Sequence, residues 1–157
     1  MKKVIVLLLT MGLFSCSTPK NNASDMKAIQ FRFARPTNQL SEIVKFYQEG
    51  LGLKVIGSFE GHDGYDGVMI GLPGTLYHLE FTQYREKVDL PQPTKEHLMV
   101  LYFDDPQAYR LAVERLKGIG AKEVAPENPY WLGKSITVED PDGWRIVLFD
   151  GIFIGKE

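Results

Sequence analysis

The sequence predicts an α+β fold in which two tandem βαβββ modules form one domain with a central cleft. Three observations carry this reading. Short apolar or alternating runs bounded by glycine, proline and aspartate read as strands, and two longer stretches have helical spacing. The order strand, helix, strand, strand, strand occurs twice along the chain. Finally, Gly50-Leu51-Gly52-Leu53-Lys54-Val55 is echoed by Gly118-Ile119-Gly120-Ala121-Lys122-Glu123, an offset of 68. A duplicated unit of this size cannot bury both faces of its small sheet alone, so two units pack together. Curling the two sheets together leaves a cleft, where ligands usually bind.

The N-terminal stretch is an export signal rather than structure. Lys2 and Lys3 precede an apolar run at 4–14, too short to span a bilayer, and Leu13-Phe14-Ser15-Cys16 follows. The chain's single cysteine stands where a bacterial lipoprotein signal is cut and acylated, and these four residues resemble a lipobox. Cys16 is therefore the expected lipid anchor, on a bacterial cell envelope and through it a membrane. An ordinary secretory signal with a chance cysteine is the alternative. One cysteine excludes internal disulfides, and with Cys16 acylated it excludes thiol catalysis. Polar residues 17–25 include Pro19 and lack hydrophobic periodicity, giving a tether of about 30 Å at full extension. The expected organisation is a signal and anchor at 1–16, a tether at 17–27 and a domain at 28–152, with modules at about 28–84 and 97–152.

Without Lys2 and Lys3, 16 basic residues face 20 acidic ones, a net charge of −4. No basic run or stripe appears, which argues against nucleic acid as a partner. No glycine-rich phosphate loop, CxxC pair or GxSxG elbow is present.

Taking the domain in order, residues 29–35 alternate and read as a strand ended by Pro36. Asn38 is a good N-cap, and Leu40, Ile43, Val44 and Tyr47 then fall on one helical stripe that stops at Gly50. Residues 54–59 are a strand, 61–67 a loop rich in glycine and aspartate, and 68–70 a strand. Pro73-Gly74 turns the chain into a fourth strand at 76–82. Residues 84–96, with Pro91 and Pro93, read as a linker. The pattern then restarts with a strand at 97–103, and Asp105-Pro106 supplies a cap and a proline at the first helical position. Tyr109, Ala112, Val113 and Leu116 repeat the stripe, Gly118 ends it, and 121–125 is a strand. A hairpin at 134–139 and 144–150 closes through Asp140-Pro141-Asp142-Gly143.

The strand at 76–82 concentrates the chemistry. Alternation puts Tyr77, Leu79 and Phe81 on an apolar face and His78, Glu80 and Thr82 on a face suited to a pocket wall. Other candidates are more ambiguous. Tyr130 and Trp131 either line an apolar pocket or plug one end of the core. Arg35 either binds an anion or caps a strand end in solvent. His62-Asp63 reads as a solvated turn whose acidic spacing does not match a calcium loop.

The tandem modules resemble the vicinal oxygen chelate superfamily, which includes glyoxalase I, bleomycin- and fosfomycin-resistance proteins and extradiol dioxygenases. The resemblance rests on the helix with Phe46-Tyr47 and Gly50-Leu51-Gly52-Leu53, the strand ending in Glu80, His97 opening the second module, and Glu139-Asp140-Pro141-Asp142-Gly143 before the last strand. Metal-using members of that superfamily take ligands from the first and last strands of each module. The resemblance therefore implies Glu80 and His97 as candidate ligands of a divalent metal. Arg32 stands at a third position, and Val147, 67 residues after Glu80, at the fourth. Valine cannot ligate, and a guanidinium about 4 Å from a dication is repelled by roughly 8 kcal/mol at an effective dielectric near 20. Arg32 pairs more simply with Glu80, while His78 points the same way as Glu80 and offers a substitute ligand.

These residues imply a small-molecule pocket with Arg32, His78, Glu80 and His97 as its polar floor and Tyr130 and Trp131 as its walls. His78, Glu80 and His97 are the candidates for catalysis by proton transfer. The alternatives are a metal-dependent lyase, isomerase or dioxygenase using those three, and a non-catalytic interaction module. Members of the superfamily often pair modules across a homodimer, through which a second chain supplies ligands.

Overall fold

Each strand sorts its side chains into two faces by alternation, and the pairing registers carry that sorting across whole sheets. The computed structural model describes residues 28–155. The expected signal, Cys16 anchor and tether, at 1–27, lie outside the described residues.

The first module comprises β1 (Phe31–Pro36), α1 (Leu40–Lys45) running into a π-helical turn (Phe46–Gly50), β2 (Lys54–His62), β3 (Tyr65–Gly71) and β4 (Tyr77–Tyr84). The second comprises β5 (Leu98–Phe103), α2 (Pro106–Gly118), β6 (Lys122–Glu123), a 3₁₀ turn (Pro129–Trp131), β7 (Ser135–Glu139) and β8 (Arg145–Asp150). Sheet one runs β1-β4-β3-β2 and sheet two runs β5-β8-β7-β6. In each, the first strand lies parallel to the last and the other pairs are antiparallel. The repeated order is thus two βαβββ modules. The internal echo extends to the backbone, because Gly52 and Gly120 adopt φ of 73° and 72° at matching helix exits.

Several details differ from the sequence reading. Asn38 does not cap α1, because its carboxamide has other partners. It donates to the Val88 carbonyl at 2.8 Å and accepts from the Val88 N–H at 3.2 Å. Gln39 takes the cap position without a side-chain capping bond, and the Leu40 N–H donates to Gln83 Oε1 at 2.7 Å. Asp105 does cap α2, accepting from the Gln107 N–H at 2.8 Å. The strand expected at 121–125 shrinks to Lys122–Glu123, while β2 extends to His62 through two register shifts.

The apolar face of sheet one presents Ile70, Leu79 and Phe81, and that of sheet two Val138, Ile146 and Leu148. All six are at most 5 % exposed. With Ile43, Phe46 and Tyr47 from the first module's helical segment and Ala112, Val113 and Leu116 from α2 they form one continuous core. The expected helical stripes are therefore core stripes. The modules meet where Gly50 approaches α2: a Cβ there would lie 2.8 Å and 2.9 Å from the Ile119 and Leu116 side chains. Only glycine permits that approach without repacking.

Candidate functional site

The register aligns residues on the second face of sheet one into cross-strand rows. Arg32 lies opposite His78, which lies opposite Gly71, which lies opposite Lys54. In the next row Ala34, Glu80, Met69 and Gly57 stand side by side. Beyond it the Phe59 ring covers Gly67, where an added Cβ would sit 2.2 Å from the ring. The face therefore has a polar strip on β1 and β4 beside an apolar strip on β2 and β3.

Arg32 ties the polar strip together. Its Nη1 lies 2.8 Å from Glu80 Oε2, and its Nε donates to His78 Nε2 at 3.1 Å. The arginine side chain is about half exposed, whereas His78 and Glu80 are buried. The Gln30 carboxamide lies 3.5 Å from the other imidazole nitrogen, Nδ1. A cavity of about 460 Å³ opens beside His78, lined also by Gln30, Lys54, Ile56, Leu72 and Leu76.

His97 does not join this group. It is exposed just ahead of β5 and stacks on Trp144, with ring centres 5.6 Å apart and planes within 16°. Trp144 in turn packs edge-on against Phe33 at 6.1 Å. Phe33 shares the Leu79 face of sheet one, so the sheet itself lies between His97 and Glu80. Tyr130 and Trp131 belong to the second module. Trp131 is buried edge-on against Phe149 at 6.1 Å, and the exposed Tyr130 carries the Lys134 ammonium 4.2 Å above its ring. Val147 pairs with Val100 and Thr137 on the second face of sheet two. His62 and Asp63 are solvent-exposed.

A divalent metal of the style this fold hosts needs about three protein donors and an open position. Among the described residues, no three histidine, cysteine, aspartate or glutamate side chains are placed to hold one. Glu80 and His78 already face a guanidinium, which repels a dication and uses the lone pairs a metal would need. The residues of one protomer do not fit the metal.

A second polar cluster sits at the module junction, between Arg35 and the 140–143 turn. Arg35 is buried, pairs with Asp140, and its Nη1 donates to Asp142 Oδ2 at 2.7 Å. Its guanidinium lies 4.8 Å over Phe81 and 5.2 Å over Trp144. Neither proposed role of Arg35, anion receptor or exposed strand cap, matches this clasp. Tyr47 donates to Asp140 Oδ2 at 3.1 Å, and the N–H groups of Asp142 and Trp144 donate to Asp140 Oδ1 at 3.0 Å. Burial pushes the Asp140 carboxyl above its ordinary value, and the Arg35 charge opposes it. Burial, helped by Asp140, also pushes the Tyr47 phenol well above its ordinary range. The sequence signal was parity: Arg35 is two residues from Phe33 and shares its inward face. Beside this clasp lies a cavity of about 530 Å³, under linker residues 88–93.

The two-sheet βαβββ fold is that of the vicinal oxygen chelate proteins. The YycE-like N-terminal domain matches residues 31–82 and the YycE-like C-terminal domain residues 96–150, and the chain belongs to this YycE-like family. The uncharacterized protein YycE of Bacillus subtilis (strain 168) is 54 % identical over 129 residues, covering 81 % of this chain and 91 % of that one. A crystal structure of a B. subtilis YycE protein of unknown function, with a suggested glyoxalase/fosfomycin resistance assignment, superposes with a TM-score of 0.80 at 49 % identity. It covers 86 % of this chain and 98 % of that one. The trypanothione-dependent glyoxalase I of Leishmania major shares the fold, with a TM-score of 0.61 at 20 % identity over 80 % of this chain and 87 % of its own.

Proposed function

We propose that this YycE-like protein binds a small, partly apolar molecule on the second face of sheet one, without a resident divalent metal. The observation that carries the reading is Arg32 engaging Glu80 and His78 together. It places a permanent cation where a metal-using relative needs an empty place for a dication. The adjoining strip of Ile56, Met69 and Phe59 offers apolar contact, so the face suits a ligand with one polar end. The suggested glyoxalase/fosfomycin resistance assignment of the B. subtilis relative agrees with a small-molecule site.

The Lys2–Cys16 signal supports anchoring at a bacterial envelope through the Cys16 lipid. Exposed apolar residues Phe153, at 74 %, and Ile154, at 78 %, support pairing with a second copy.

A thermal-shift screen of small amphiphilic compounds tests the binding reading. A ligand at a hundredfold excess over its dissociation constant adds about 2.7 kcal/mol of stability. Hits should lose that shift in Arg32→Met and keep it in an exposed control, Tyr130→Ser. A screen without hits, or hits indifferent to Arg32→Met, would count against the site.

A further inference from the structure

We propose that Arg32 fixes His78 as the neutral tautomer protonated on Nδ1, and that this N–H, with Lys54, makes the 460 Å³ cavity a receptor for the carboxylate of a small aliphatic acid. The inference rests on the small-molecule reading above and names the chemical class for that face.

The tautomer follows from donor accounting. An arginine Nε has a hydrogen to give and no lone pair to offer, so the 3.1 Å contact obliges His78 Nε2 to accept. An imidazole accepting at Nε2 carries its one proton at Nδ1. The neighbour at Nδ1 is the Gln30 carboxamide, 3.5 Å away. At 3.5 Å that contact is too long to hold the proton firmly, so a carboxylate entering the cavity is the better acceptor for it. His78 is buried, so its N–H is aimed rather than solvated, and the open volume beside it is the cavity it lines.

The lining selects the ligand. No aspartate or glutamate borders the cavity, and its one formally charged lining residue is Lys54, in the same cross-strand row as His78. Gly71 stands between them and contributes no side chain. Two donors, one cationic, therefore flank a space whose lining holds no carboxylate to compete for them, which suits a carboxylate ligand. Beside Thr75 and Tyr77, the walls include the apolar Ile56, Leu72 and Leu76, of which Ile56 and Leu76 are 61 % and 66 % exposed. They give an alkyl chain of a few carbons a surface to cover. Arg32 and Glu80, already paired, set the tautomer from outside the cavity, so Arg32 acts here as a positioning residue.

Long-range proton–nitrogen correlation spectra of the full-length protein labelled at histidine, with and without octanoate, test both parts. Without ligand, His78 should show a protonated Nδ1 and an unprotonated Nε2 at neutral pH. Arg32→Met should release it toward the Nε2–H form. A wild-type His78 protonated on Nε2, or on both nitrogens, overturns the tautomer. Octanoate should then shift the His78 Nδ1 signal saturably, octanol should bind at least about tenfold more weakly, and Lys54→Met should weaken octanoate about tenfold. Lys54 is exposed, so this variant keeps the fold. Octanoate binding that ignores Lys54→Met, or no octanoate binding at all, overturns the receptor. In either case, ligands that still bind in an Arg32-dependent way leave the broader small-molecule reading standing, whereas its own failure is a face that binds nothing.

Discussion

Arg35→Ala is expected to destabilise the protein by about 3–5 kcal/mol, because it leaves Asp140 and Asp142 without their cation inside the module junction. Loss of the guanidinium also removes the packing over Phe81 and Trp144. The midpoint of urea unfolding measures the loss. The pH dependence has a definite sign. Asp140 already has a raised folded-state pKa through burial, and Arg35 is the main group opposing that rise. Without Arg35 it rises further. A carboxyl raised in the folded state stabilises below its unfolded pKa and loses that contribution as pH climbs through the folded value. The deficit of Arg35→Ala relative to wild type should therefore grow from acid to neutral pH and shrink again on acidification. A deficit that is flat with pH would mean that packing over the two rings, rather than charge, dominates the clasp.

Phe81→Ala should cost about 3–5 kcal/mol, the usual range for removing a fully buried ring. Phe81 is 1 % exposed and packs against Tyr47 at 4.8 Å. Glu80, its neighbour in sequence, faces the other side of the sheet. Glu80→Gln should stay within about 1 kcal/mol of wild type, since its partner Arg32 is half exposed and the pair is partly screened. Thermal and chemical denaturation of the two variants test the face assignment through adjacent residues. Equal losses would mean that Glu80 helps hold the fold together and is not simply poised in a pocket. The double variant of Arg35 and Phe81 should lose less than the sum of the two, because the guanidinium and the ring are in contact.

Alternation and helical spacing are local properties, and they carried far. The faces of β4, the stripe on α2 and the repeated module order all follow from them. The places where the reading changed depend on contacts distant in sequence. Asn38 left its cap position for Val88, 50 residues away. Arg35 found Asp140 more than 100 residues away. His97 illustrates the sharpest limit. A single step of parity at the start of β5 turns its imidazole toward Trp144 and away from Glu80, and the position of a strand's first residue is what sequence patterns fix least. The Arg32–Glu80 pair was legible because the resemblance sets these oppositely charged residues at the two ligand positions of the first module. The cavity beside His78 was not, because Gln30, Lys54 and Leu76 come from segments that only the β1–β4, β3–β4 and β2–β3 pairings bring together.

Metal content tests the central claim, a small-molecule face held by a guanidinium in place of a cation, most directly. The purified protein and its Glu80→Ala variant would be dialysed in turn against nickel, zinc, iron and manganese, then measured by elemental mass spectrometry. The account predicts well under one metal per chain in both, with no difference between them. One metal retained per wild-type chain and lost in Glu80→Ala would contradict it, and would make a metal-dependent lyase, isomerase or dioxygenase the reading to pursue.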